Sequence, residues 1–146
     1  MNLPDETLRA WIETNWALVD VGITDDDVSF SLTPVNIASP FDPQITVQLA
    51  GFQRLQDAED SLYRFTFSVE AALWNKTYNK SDLAQALHWK MVEHIKSFFD
   101  TASAIALPSG WRWAHVETAV NTGMAMDALP NCNLFNMTIT ALIAWS

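Results

Sequence analysis

The sequence predicts an α+β fold, an antiparallel or mixed β-sheet of about five strands with two main helices packed on one face. Three features carry that expectation. Two segments repeat their apolar residues at helical spacing, others alternate apolar with polar residues, and the order is helix, strands, helix, strands. The connections are too short for repeated parallel crossovers except around the second helix. At 146 residues, with no internal repeat, low-complexity tract or long linker, the chain reads as one domain, 1–146, around one core.

Pro4 at a first helical position, with Asp5 and Glu6 against the positive end of the helix dipole, predicts a helix running to about Asp20. Leu8, Trp11, Ile12, Trp16 and Val19 form its apolar stripe. Asp25, Asp26 and Asp27 make a turn before a short strand in which Val28, Phe30 and Leu32 alternate. Pro34, Pro40 and Pro43 mark a loop, because each lacks the amide that a ladder needs. Ile45, Val47 and Leu49 alternate with Thr46 and Gln48 in a strand ending near Gly51. The polar stretch from Gln53 to Ser61 leads into the clearest strand, where Tyr63, Phe65, Phe67, Val69 and Ala71 share one face and Arg64, Thr66, Ser68 and Glu70 the other. Ser81 as N-cap and Asp82 in the first turn predict a second helix to Phe99, with Leu83, Leu87, Met91, Ile95 and Phe98 as its stripe. Pro108 and Gly110 break the chain before a strand in which Trp111, Trp113, His115 and Glu117 share one face. A loop from Gly123 to Asn133 precedes the last strand, with Phe135, Met137, Ile139, Ala141, Ile143 and Trp145 on one side.

An apolar fraction of 49%, with seven Trp and eight Phe, excludes a natively disordered chain. The net charge of −9 argues against attachment to phosphate backbones or anionic lipid, since both recruit clusters of Lys and Arg. An acidic surface is compatible with lining a channel that DNA traverses without sticking. Cys132 is the only cysteine, so neither an intrachain disulfide nor a cysteine zinc cage is available. Pro4, Asp5 and Glu6 stand where an export leader would place basic and then apolar residues, and no run of about 18 apolar residues occurs, so neither a leader nor a spanning helix is expected. The triplets beginning at Asn75, Asn79 and Asn136 match the glycosylation pattern, but without an export signal they carry no such meaning.

Chemistry finds little purchase. The glycines Gly22, Gly51, Gly110 and Gly123 are too far apart for a P-loop or a dinucleotide fingerprint. His88 and His94 are six apart on one helix, on opposite sides rather than the shared face of a metal pair. No serine has the glycines of a nucleophile elbow that would recruit His115, and Asp60 and Glu70 lack the Glu-x-Lys of a metal-dependent nuclease. Asp25, Asp26 and Asp27 lack the spacing of a calcium loop and read as a solvated turn. No catalytic residue, metal ligand or cofactor is therefore assigned. Trp11, Phe65, Phe67, Phe98 and Trp113 fit the core pattern, whereas Trp74, Trp111 and Trp145 lie near element ends, where aromatic rings serve as subunit anchors.

In chain order, the helical Glu6-Thr7-Leu8-Arg9-Ala10, the strand Pro43 to Gly51, the polar loop, the strand Tyr63 to Glu70, the helix from Ser81-Asp82-Leu83 and the strand Phe135 to Leu142 resemble the tail terminator proteins of long-tailed phages and related tail-completion and neck proteins. The resemblance spans nearly the whole chain but is one of pattern. The tryptophans at 111 and 113 and the prolines from 34 to 43 depart from it, so details of partner contact do not transfer. It implies a structural virion protein, assembled in the host cytoplasm, that forms a homo-oligomeric ring, commonly a hexamer. Such a ring caps the tail tube protein, ends its polymerisation and offers a joining surface to the head-tail connector protein, with DNA passing through and no membrane or sequence-specific nucleic acid involved. A neck adaptor on the portal complex is the alternative, and an unrelated small enzyme the more distant one. The partner-binding residues assigned on this basis are Arg54, Asp57, Glu59 and Asp60 in and beside the polar loop, with the rims near Trp111 and Trp145. Replacing Asp57, Glu59 and Asp60 together by Ser is expected to leave subunit stability nearly unchanged while weakening ring formation or tube capping and changing its salt response; tails of normal length with an unchanged salt response would reduce the loop to a solvated connection.

Overall fold

The computed structural model of the chain describes residues 3–16, 28–32, 44–55, 62–74, 81–100, 105–124 and 132–145. Helix α1 spans Pro4–Asn15, with Pro4 in its first turn beside Asp5 and Glu6 and no side-chain cap at Leu3. Pro4 has no amide to leave unpaired and the two carboxylates favour the helix N-terminus, so the start is stable without a cap. Arg9 and Glu13, one turn apart, pair at 2.6 Å on its outer side. Leu8, Ile12 and Trp16 are buried, as the stripe predicts; residues 17–20, the rest of the expected helix, lie outside the described residues.

Five strands follow: β1 (Ser29–Ser31), β2 (Gln44–Arg54), β3 (Leu62–Trp74), β4 (Trp111–Met124) and β5 (Cys132–Ala144), with helix α2 (Ser81–Phe98) between β3 and β4. They form one mixed sheet in the order β1-β2-β3-β5-β4. Only β1 and β2 are parallel. The last strand in the chain therefore enters between β3 and β4, pairing with β3 from Leu62↔Ala144 to Trp74↔Cys132 without a slip. Strand β4 extends beyond the expected Thr118 to Met124 and β5 starts at Cys132, so Gly123, Met124, Cys132 and Asn133, expected in a loop, lie in strands; residues 125–131 fall outside the described residues. Asp25, Asp26, Asp27 and the proline loop from 34 to 43 fall outside the described residues.

One face of this sheet carries the core. Ile45 and Val47 of β2, Phe65, Phe67, Val69 and Ala71 of β3, and Phe135, Met137, Ile139, Ala141 and Ile143 of β5 are buried in a single cluster. Leu8, Ile12 and Trp16 of α1 and Met91, Val92, Ile95 and Phe98 of α2 complete the same cluster, which puts both helices on that face. Leu83 and Leu87, the rest of the α2 stripe, have side chains outside the described set. The opposite face is polar, with Thr66, Ser68, Glu70, Asn136 and Thr138 half-buried and Asn136 Nδ2 donating to Ser68 Oγ at 2.8 Å.

Strand β4 corrects the alternation expected for it. Its pairing with β5 shifts between Trp111 and Trp113, between Val116 and Thr118, and between Asn121 and Gly123. Each bulge inserts an extra residue and reverses which face the next side chain takes. Trp111 is thus opposite Ile143 on the core face, whereas Trp113 is opposite Leu142 on the other. Trp113, expected in the core, instead stacks on His115 with ring centroids 4.8 Å apart.

Phe65 is buried near the hairpin end of β3 and stacks against Phe67 at 6.2 Å. Its truncation to Ala removes a ring that a rigid core cannot replace, so Phe65→Ala is expected to lower unfolding free energy by about 3–5 kcal/mol in urea denaturation.

Candidate interaction site at one end of the sheet

The β2–β3 hairpin closes where the Leu55 amide donates to the Leu62 carbonyl at 3.2 Å. Below that point Arg54 is opposite Tyr63, Gln53 opposite Arg64 and Phe52 opposite Phe65. A register shift between Leu49 and Gly51 sets this end. It places Leu49 and Phe52, three residues apart, on the same face, so the period of two breaks there although the strand continues to Arg54. The same break explains why Phe52 escapes a reading that ends the strand at Gly51.

Phe52 is the most exposed ring here, at 58%. It lies 5.5 Å from Phe65, 5.9 Å from Tyr63 and 6.3 Å from Trp145. Trp145 meets Phe65 edge-on at 5.6 Å and Tyr63 at 5.9 Å. These separations suit offset and edge-to-face packing, which fixes the rings in place. Leu49 is also exposed, so the apolar face continues past the helices into an uncovered platform. Arg54, Arg64 and Arg112 are exposed in adjoining rows of the sheet, Arg54 on the face of Tyr63 and Arg64 on the opposite one.

The assigned partner-binding residues divide accordingly. Arg54 is exposed and Trp145 half-buried at this end. Trp111 is 8% exposed and stacks nearly parallel on Phe67 at 5.7 Å, so its ring packs within the subunit rather than forming an outward anchor. The turn before it explains the inward course: Gly110 has φ of 87°, its carbonyl accepts from the Ala144 amide at 2.8 Å, and a Cβ there would meet the Ala144 carbonyl at 3.1 Å. Asp57, Glu59 and Asp60 lie outside the described residues, as does the side chain of Trp74.

A concavity of about 310 Å³ runs between α2 and β4, with Trp89, Val92 and Phe135 lining its apolar part and Glu93, Lys96 and Glu117 its charged rim. Trp89 is 53% exposed and packs edge-on against Phe135. Sequence reading passed over this tryptophan, whose only signal was its place beside the apolar stripe rather than on it.

The titratable groups considered for chemistry are dispersed. His115 Nε2 lies 2.5 Å from Glu117 Oε1 on the exposed outer side of β4. Glu70 is half-buried on the polar face, and desolvation raises its carboxyl pKa above the ordinary range. His94 is buried against the edges of Trp16 and Phe98, each ring 4.6 Å away, and its Nε2 is 2.7 Å from the Trp16 carbonyl. Nε2–H donates there, joining α2 to the end of α1, while Nδ1 is buried without a partner. The side chain of His88 and Asp60 and Asp25 lie outside the described residues. Among the described residues no three His, Cys, Asp or Glu side chains converge as a metal site, and no helix is long and apolar enough to cross a membrane. Compared with known proteins, the chain matches no family model and no curated sequence.

Burial lowers the His94 pKa below its ordinary 6.5, although the backbone hydrogen bond opposes the shift. The unfolded chain therefore takes up this proton first, so the stability contributed by neutral His94 is complete above 6.5 and is lost as pH falls toward the folded-state value. Glu70 acts in the opposite sense at lower pH, gaining its proton first in the folded state as pH falls toward 4.5. Urea midpoints are expected to fall between pH 7 and pH 5.5, and His94→Gln to flatten that slope; an unchanged slope would remove His94 as its source.

Proposed function

We propose that this chain is a non-enzymatic virion protein that assembles as a ring, a hexamer by resemblance, on the head-proximal end of a phage tail tube. There it ends tube polymerisation and presents a surface to the head-tail connector, with DNA passing through the ring. The observation that supports this reading is positional. The quoted segments that resemble tail terminators coincide in order with α1, β2, β3, α2 and β5. An aromatic platform left uncovered by both helices, with Phe52 at its surface, adds a place for association, because exposed clustered rings are common anchors of protein contacts.

Terminating a tube requires a closed contact between copies and a face matched to the last layer of tube subunits. Neither task needs a nucleophile, a metal or a cofactor. It needs a rigid subunit, supplied here by the sheet with both helices on one face. A head-completion adaptor would share the ring but bind the portal side.

The test is addition of the purified protein to its cognate tube protein during polymerisation. Tubes are expected to stop growing with one protein ring at one end, visible by electron microscopy. Undiminished tube growth together with binding to isolated portal would favour the neck adaptor, and a strict monomer that binds neither would remove the ring reading.

A further inference from the structure

Helix α2 packs on β3 and β5, and the edge strand β4 lies beyond β5, so the concavity of about 310 Å³ opens between the helix and that edge. Trp89, Glu93 and Lys96 recur at helical spacing and bring one side of α2 to it. The Trp89 ring is exposed yet held edge-on against the buried Phe135 at 5.6 Å, so it stands in the groove in a set orientation. Glu117 comes from the opposite wall. The register shift between Val116 and Thr118 leaves it as the extra residue of a bulge, without a partner on β5, and bulges re-aim side chains in this way. One of its carboxylate oxygens lies against His115 Nε2, whereas the side chains of Glu93 and Lys96 are unpaired among the described residues.

We infer that this groove seats an arginine side chain presented by a basic segment of a partner protein. An arginine joins an apolar stem to a planar cation, and the groove offers a match for each part. Trp89, Val92 and Phe135 receive the stem, and the indole face attracts the guanidinium. Glu93 and Glu117, from facing walls, accept its N–H donors at the rim, where Lys96 is the one opposing charge among the lining residues. The net charge of −9 on the chain favours the approach of a basic segment over an acidic one. An aromatic ring beside carboxylates is also the kind of pocket in which an arginine anchors a protein contact. The inference does not depend on the ring reading, since the groove lies within one subunit.

The experiment titrates the full chain, by calorimetry at low salt, with a blocked peptide that carries one arginine between two leucines, and with the same peptide in which uncharged citrulline replaces the arginine. The arginine peptide is expected to bind about tenfold more tightly than the citrulline peptide. Glu93→Gln and Trp89→Leu are each expected to weaken it severalfold, whereas Lys96→Gln is expected to tighten it severalfold. That gain cannot come from a folding defect, so it keeps the test decisive if Trp89→Leu is unstable. No binding of the arginine peptide, equal binding of both peptides, or affinities that the three folded variants leave unchanged would overturn the arginine seat without touching the ring reading, which the tube assay tests separately. Sedimentation alongside checks the source of the arginine: self-association of the chain that Glu93→Gln abolishes and the peptide competes away would make the occupant a second copy and overturn the separate partner.

Discussion

The sheet depends on β5 lying between β3 and β4. Its backbone is hydrogen-bonded on both sides, and its apolar face supplies Phe135, Met137, Ile139, Ala141 and Ile143 to the core. A central strand has no unpaired edge of its own, so displacing it would expose two ladders and the middle of the apolar face together. The unbroken register with β3 makes these strands a stiff plate. On that plate the helices rest, and from its end the aromatic platform projects.

The helices are held to each other as well as to the sheet. Trp11 meets Phe98 and Phe99 at 5.7 and 5.2 Å, and its indole N–H donates to the Ala106 carbonyl at 2.9 Å. Trp16 and His94 form the second tie, in which a neutral imidazole satisfies a carbonyl just beyond the last turn of α1. Four aromatic side chains and one histidine thus lock the helix layer, leaving the hairpin end of the sheet uncovered.

Alternation made β3 and β5 legible, because they keep one register with each other and each has one face that is largely buried; the α2 stripe was legible because Met91, Ile95 and Phe98 follow helical spacing. The bulges were not. At Trp111 the extra residue exchanged the roles of two tryptophans, one expected outside and found inside, the other the reverse. At Leu49 it hid the last turns of β2's pleat and with them Phe52. A bulge is a relation between two strands, and no period within one strand can reveal where its partner loses step. The positions of Arg54 and Trp145 at element ends were legible, whereas the placing of Arg64 and Arg112 at the same end of the sheet emerged only once β5 had joined β4 to β3.

Strand β4 lies at the sheet's edge, with Val120 exposed near its outer end. A long straight edge would invite the same strand of another molecule to extend the ladder indefinitely. The shifts beginning at Trp111, Val116 and Asn121 recur at five-residue intervals and interrupt the repeat of donors and acceptors that such growth requires. This broken edge discourages the amyloid-like stacking of one molecule's strand on another's.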